Sequence, residues 1–323
     1  MPATEATEMN MNEDDDISVG DIIVMTPEEM LATGLRLAGY KDRSIERCQA
    51  KTNLERFISR YGADPAVLAA IWEDLQRTSI GDAYIDPANI NVEYFFHAFY
   101  FLKHYDDEQE RAANTGWCRD TCRDWGWFYA AKIRALKADK IVWPTDNTRA
   151  IWIMTVDGTH CWYHEPPHPE FSINTDYYSQ KFNHAGLNYK LGMSLNESRL
   201  IWMNGPFRAG LPDRNVFRDE GLRDKLRQLG QKAIADAGYH AEEDFDVVST
   251  PNNMDSDLVK KFKRRALKRH EKFNGLLKTF KCLDQRFRHS EERFAICFEA
   301  CAVICQYALE CDKPLYNILV RGM

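Results

Sequence analysis

AIWIMTVDGTH, residues 150–160, is the stretch on which the fold turns. Upstream of it the apolar residues recur at helical spacing; here the period becomes strand-like, after a break at Trp143-Pro144-Thr145-Asp146. A second domain is expected to begin there. Working outward toward the C-terminus, strands are expected at Tyr189–Leu195, Leu200–Asn204 and Ala233–Asp236, with helices over Val216–Leu229 and from Ser256 through Arg286. Strands gathered first and long helices afterwards predict an α+β domain with a mixed sheet over residues 146–323.

Working outward toward the N-terminus, three helices are expected. Asp64-Pro65 followed by AVLAAIWEDLQ supplies an N-cap, a proline at the first helical position and an apolar stripe. Glu93–Tyr105 is dense in aromatics, and Trp117–Leu136 places Trp125, Tyr129, Ile133 and Leu136 along one face. Residues 41–145 therefore read as an all-helical unit. Residues 1–40, opening with an acidic run at Glu13-Asp14-Asp15-Asp16, read as a disordered acidic tail, with order beginning near Asp42.

The chain has 323 residues, 44% apolar and 28% charged, a globular mix with length enough to bury a core. No apolar run reaches the ~20 residues that span a bilayer, and the first 29 residues carry nine acids and no Lys or Arg, which argues against a membrane protein, a secretory signal or a mitochondrial presequence. Nine cysteines, an odd number in a chain of this size, point to a reducing compartment. Cys297, Cys301 and Cys305 recur every four residues on an apolar helix, where packing as small buried thiols is favoured over metal ligation, and the same holds for Cys118 and Cys122. His160, His164 and His168 are also four apart, but Pro166, Pro167 and Pro169 oppose a common helical face and hence a zinc site. No phosphate-binding glycine loop and no serine-hydrolase elbow is present.

Charge is unevenly distributed. The net charge is −7, yet residues 260–289 hold twelve Lys and Arg against Glu271 and Asp284, so the remainder of the chain is at −17. An acidic protein with one concentrated basic element carries a local footprint for a polyanion. In that element Phe262, Ala266, Phe273, Leu277, Phe280 and Phe287 form one stripe, while Arg264, Lys268, Glu271, Gly275 and Lys278 fall opposite. Glu271 is a lone acid among cations.

Two aspartates share a local grammar with each other. Asp157 is expected to end its strand at a turn through Gly158-Thr159, and Ala233-Ile234-Ala235 delivers Asp236 to a turn at Ala237-Gly238-Tyr239. Each alone reads as a turn former. Together with Glu271 they make an oxygen-rich set suited to Mg²⁺, and two such ions about 4 Å apart can activate a water or a 3′-hydroxyl against a phosphodiester.

VDGTH at 156–160, ADAGY at 235–239, RALKRHEKFNGLLK at 265–278 and NGPFRAGLPD at 204–213 resemble the Harbinger-type DDE superfamily of transposases and transposase-derived endonucleases, with the strong likeness running from Trp152 to about Leu315. RFISRYGADPAVLAAIWEDL at 56–75 is similar to the helix-turn-helix-like region that precedes the catalytic domain in such proteins. The resemblance implies an RNase H-like fold with Asp157, Asp236 and Glu271 as catalytic, metal-binding residues for Mg²⁺ or Mn²⁺, two ions in all. It further implies DNA as substrate, gripped by Arg264, Lys268, Lys272 and Lys278, with action in the nucleus, a separate Myb-like DNA-binding protein as partner, and self-association. The departure is ADAGY in place of the more frequent GDGGY-like form. The rival reading is a domesticated, catalytically silent nuclear protein that binds DNA or a partner through the same basic helix.

Overall fold

The computed structural model describes residues 22–145, 151–167, 174–239, 241–311 and 313–318. Helices come first: α1 (Pro27–Leu37), α2 (Asp42–Arg47), α3 (Ala50–Tyr61), α4 (Pro65–Asp74), α5 (Val92–His104), α6 (Glu108–Thr115), α7 (Arg119–Ala135) and α8 (Lys137–Lys140). Strands β1 (Trp152–Trp162), β2 (Tyr178–Ser179), β3 (His184–Ser194) and β4 (Leu200–Arg208) follow, then α9 (Asp213–Asp219), α10 (Leu222–Leu229), β5 (Lys232–Ile234) and β6 (Val248–Ser249). The chain closes with α11 (Asp257–Leu277), α12 (Lys281–Asp284) and α13 (Glu291–Glu310).

Local chemistry explains where these begin and end. Asp64 caps α4 by accepting from the Ala66 amide, with Pro65 at the first helical position. Order begins earlier than Asp42, because Thr26 and Glu29 form a reciprocal capping box that starts α1, and Met30, Gly34 and Leu35 are buried. The expected tail is thus helical over Pro27–Leu37; residues 1–21 lie outside the described residues, as do Ala150 and His168. The helix expected over Val216–Leu229 is two helices, split at Gly221, whose φ of 79° is left-handed. The one expected through Arg286 stops at Leu277.

The sheet runs β2-β3-β1-β5-β6, with β4 also on β3. β3 is antiparallel to β1 and β4, whereas β5 and β6 are parallel to β1 and to each other. This is a mixed sheet in an α+β chain, consistent with an RNase H-like domain. One correction concerns β1. It does not turn after Asp157 but continues through Gly158 and Thr159 to Trp162, because the eleven-residue β3 pairs with it along its length, Asp157 beside Leu191 and Trp162 beside Gly186.

Ile153, Met154 and Val156 pack with Phe217, Leu222 and Leu226 from α9 and α10. The other large cluster is continuous from Met30 in α1 to Leu315, taking in Phe95 and Phe99 of α5, Leu187 and Leu191 of β3, and Phe298 and Ile304 of α13. The helical part and the sheet therefore share one core. Cys297, Cys301 and Cys305 are buried within it. A charged knot crosses the same junction: Glu299, 3% exposed, accepts from Arg134 Nε at 2.9 Å, Lys137 Nζ at 2.6 Å and Tyr189 Oη at 2.9 Å.

Candidate active-site cleft

In the parallel pair β1–β5 the last partners are Thr155 and Ile234. Asp157 and Asp236 each lie two residues further on, and neighbouring strands are about 4.8 Å apart. Both aspartates line one cleft of about 1030 Å³, together with His160, Lys181, Phe182 and Arg208. The shortness of β5 makes this opening: it ends at Ile234 while β1 continues, so the edge of β1 beyond Asp157 loses its neighbour on that side.

Asp236 is exposed and starts a tight turn over Ala237–Tyr239, with Oδ1 accepting from the Gly238 amide at 2.9 Å. Asp157 is half-buried; its Oδ1 accepts from the Gly158 amide at 2.8 Å and its Oδ2 from Asn274 Nδ2 at 3.0 Å. Glu271 is exposed on α11, one turn before Asn274, and does not line the cleft. Among the described residues neither Asp236 nor Glu271 is ion-paired. Their donor chemistry, hard carboxylate oxygen, fits Mg²⁺ or Mn²⁺. The three carboxylates do not close into one coordinating group among the described residues.

His160 forms the inner wall. Its Nδ1 lies 3.2 Å from Asn188 Oδ1 and its ring stacks on Phe182 at 4.3 Å between centroids, over Gly186, where a side chain would meet the imidazole at 2.0 Å. Burial, then the charges of His184 and Lys278, lower its pKa to about 4, so it is neutral at physiological pH.

The basic residue types of α11 divide. Lys263, Arg269 and His270 are buried: Lys263 pairs with Asp255 at 2.9 Å, Arg269 donates to the Ser194 carbonyl, and His270 Nδ1 lies 2.9 Å from Thr155 Oγ1. Lys278, expected as a phosphate contact, donates instead to the carbonyls of His160 and Leu283 (2.7 Å) and lies 3.2 Å from Cys161 Sγ; its donors are committed inside the fold, where they fasten α11 to β1 and α12. Arg264 and Lys268 are exposed and line a separate groove of about 670 Å³ with Lys260, Lys261, Arg265 and Tyr316, and Lys272 continues the exposed row one turn on.

Two residues were not anticipated. Asn274 interrupts the apolar stripe between Phe273 and Leu277, and its four-residue spacing from His270 and Lys278 was the available signal. Arg208 at the end of β4 carried none.

Residues 156–306, just under half of the chain, match the model of a family described as DDE superfamily endonuclease. The match begins one residue before Asp157 and includes Asp236 and Glu271, and it supports placing this part of the chain in that superfamily. No curated protein and no solved structure matches the chain.

Proposed function

We propose that this chain is a metal-dependent DNA endonuclease of the Harbinger transposase type, working in the nucleus on phosphodiesters at the ends of transposable elements, with transfer of the resulting 3′-hydroxyl to target DNA as a further step. The observation that carries this reading is the pair Asp157 and Asp236, each two residues beyond the last β1–β5 partners and both on one cleft. Asp157, Asp236 and Glu271 would hold two Mg²⁺ or Mn²⁺ ions. When bound, such ions supply activation of the attacking oxygen and stabilisation of the leaving one.

The chain's own residues do the rest. Lys181 lines the cleft and supplies positive charge beside the acids, while Arg208, also in the lining, is paired with Asp176 at 3.0 Å. Arg264, Lys268 and Lys272 form an exposed row along α11, suited to flanking phosphates because they lie on successive turns about 6 Å apart. His160, neutral and held by Asn188 and Phe182, shapes the wall next to Asp157 and brings no positive charge to compete with a divalent ion.

Incubating the purified full chain with supercoiled plasmid in Mg²⁺ tests the reading. Nicking that disappears in Asp157→Asn is expected; equal nicking by parent and variant would refute the site. The open arrangement of the three carboxylates and the separate basic groove favour one rival, a silent DNA-binding protein. Salt-dependent DNA binding with no nicking in Mg²⁺ or Mn²⁺ would select it.

A further inference from the structure

Strand β1 and helix α11 are joined by a ladder of polar contacts with matched spacing. Alternate strand residues Thr155, Asp157, Thr159 and Cys161 share one face of β1, and His270, Asn274 and Lys278 stack on one face of α11. Two strand residues advance about 6.6 Å and four helical residues about 6 Å, so the two rows keep step. The rungs are Thr155 with His270 at 2.9 Å, Asp157 and Thr159 with Asn274 at 3.0 and 2.8 Å, and Cys161 with Lys278 at 3.2 Å.

The middle rung has a polarity that its chemistry dictates. An ionised carboxylate only accepts, so the Asn274 amide must turn its NH₂ toward Asp157 Oδ2 and its oxygen toward Thr159, whose hydroxyl donates to it. A flipped amide would set oxygen against oxygen at Asp157. The Thr159 hydroxyl thus fixes the amide, and the amide, with the Gly158 N–H on the other oxygen, fixes the plane of the Asp157 carboxylate. Asn274 also lies one turn from Glu271, so the same contact sets how closely the helix bearing Glu271 approaches the strand bearing Asp157.

We infer that Asn274 is a positioning residue for metal binding, oriented by Thr159: it holds the Asp157 carboxylate in the attitude in which a divalent ion is taken up. This rests on the reading of Asp157 and Glu271 as metal ligands. Groups that orient a ligand in this manner typically contribute 10–100-fold to metal affinity.

Titration calorimetry of the metal-free full chain with Mn²⁺, without DNA, is the test, run beside thermal melts of each variant. Asn274→Ala should weaken Mn²⁺ binding about 10–100-fold. Thr159→Val should weaken it in the same direction, and Thr159→Ser, which restores the hydroxyl, should bind as the parent does. A merely structural role would lower the melting temperature of Asn274→Ala and leave Mn²⁺ affinity of the folded protein unchanged; that result, with binding lost in Asp157→Asn, overturns the inference. Parental Mn²⁺ affinity in Asp157→Asn would instead overturn the underlying assignment of Asp157 as a ligand. Should Asn274→Ala fail to fold, parental affinity in Thr159→Val decides against the inference.

Discussion

Asp157, within β1, and Asp236, in the turn that follows β5, each lie two residues past the Thr155–Ile234 pair of the parallel strands. Replacing either by Asn keeps shape and removes charge. Plasmid nicking in Mg²⁺ is expected to fall roughly 100-fold or more for each variant, the scale seen when one electrostatic stabiliser of a transition state is lost. DNA binding measured in EDTA should be unchanged or slightly tighter, since no phosphate-gripping cation is removed.

The two kinds of cation on α11 should fail differently. Substituting Arg264 and Lys268 together by Ala should weaken DNA binding and reduce the log–log salt slope by about 0.9 for each phosphate no longer neutralised. Lys278→Met should leave that slope at the parental value and lower the denaturation midpoint, because Lys278 donates to the His160 and Leu283 carbonyls. A salt slope reduced in Lys278→Met would show that the ammonium is available to DNA after all.

Glu299 ties α7 and α8 to β3. Burial raises its pKa, but the N–H donors of Lys137 and Arg134 outweigh burial and hold it below the ordinary carboxylate value. Its contribution is therefore complete above the unfolded pKa of about 4.3 and lost as pH falls through the folded value. Glu299→Ala should cost about 2–3 kcal/mol at pH 7, a range reduced because Arg134 and Lys137 are themselves partly exposed and retain water as an alternative partner. Urea unfolding of parent and variant should converge as pH falls below the folded pKa of Glu299.

A second acid-sensitive window lies higher. Burial first, and nearby arginines second, lower His97 and His289 to about 4, so both rings are neutral in the fold. The unfolded chain takes up protons at these sites near pH 6.5, and the stability they contribute is lost as pH falls from there toward 4. Each accounts for at most about 1.4 kcal/mol per pH unit. His97→Gln should flatten the decline in urea midpoint between pH 6.5 and 4, leaving the lower window of Glu299 in place.

Much of the order of elements was legible because caps and periodicity act locally: Asp64-Pro65 started α4, and the apolar stripe of α11 was buried as the spacing required. What sequence misjudged was decided by partners far along the chain. Asp157-Gly158 has the composition of a turn, and only the presence of β3, up to 37 residues away, turns it into continuous strand. Lys278 has the composition of a surface cation, and only the carbonyls of His160 and Leu283 tie its ammonium, half-buried, to the fold. The Thr26–Glu29 box that begins α1 was readable in full, and the acidic run before it drew attention away.

The shared core has a consequence for the order in which the molecule can be completed. Helix α13 lies far along the chain from α4 and α7, yet it packs against both, and Tyr307 donates to Asp74 Oδ2 at 2.5 Å. The apolar faces that α4 and α7 turn toward α13 therefore stay uncovered until α13 has been made, so this part of the core depends on contacts across more than 200 residues. A chain stopped before Glu291 would strand both halves at once, and a segment cut out at residue 146 would carry α13 with one side bare.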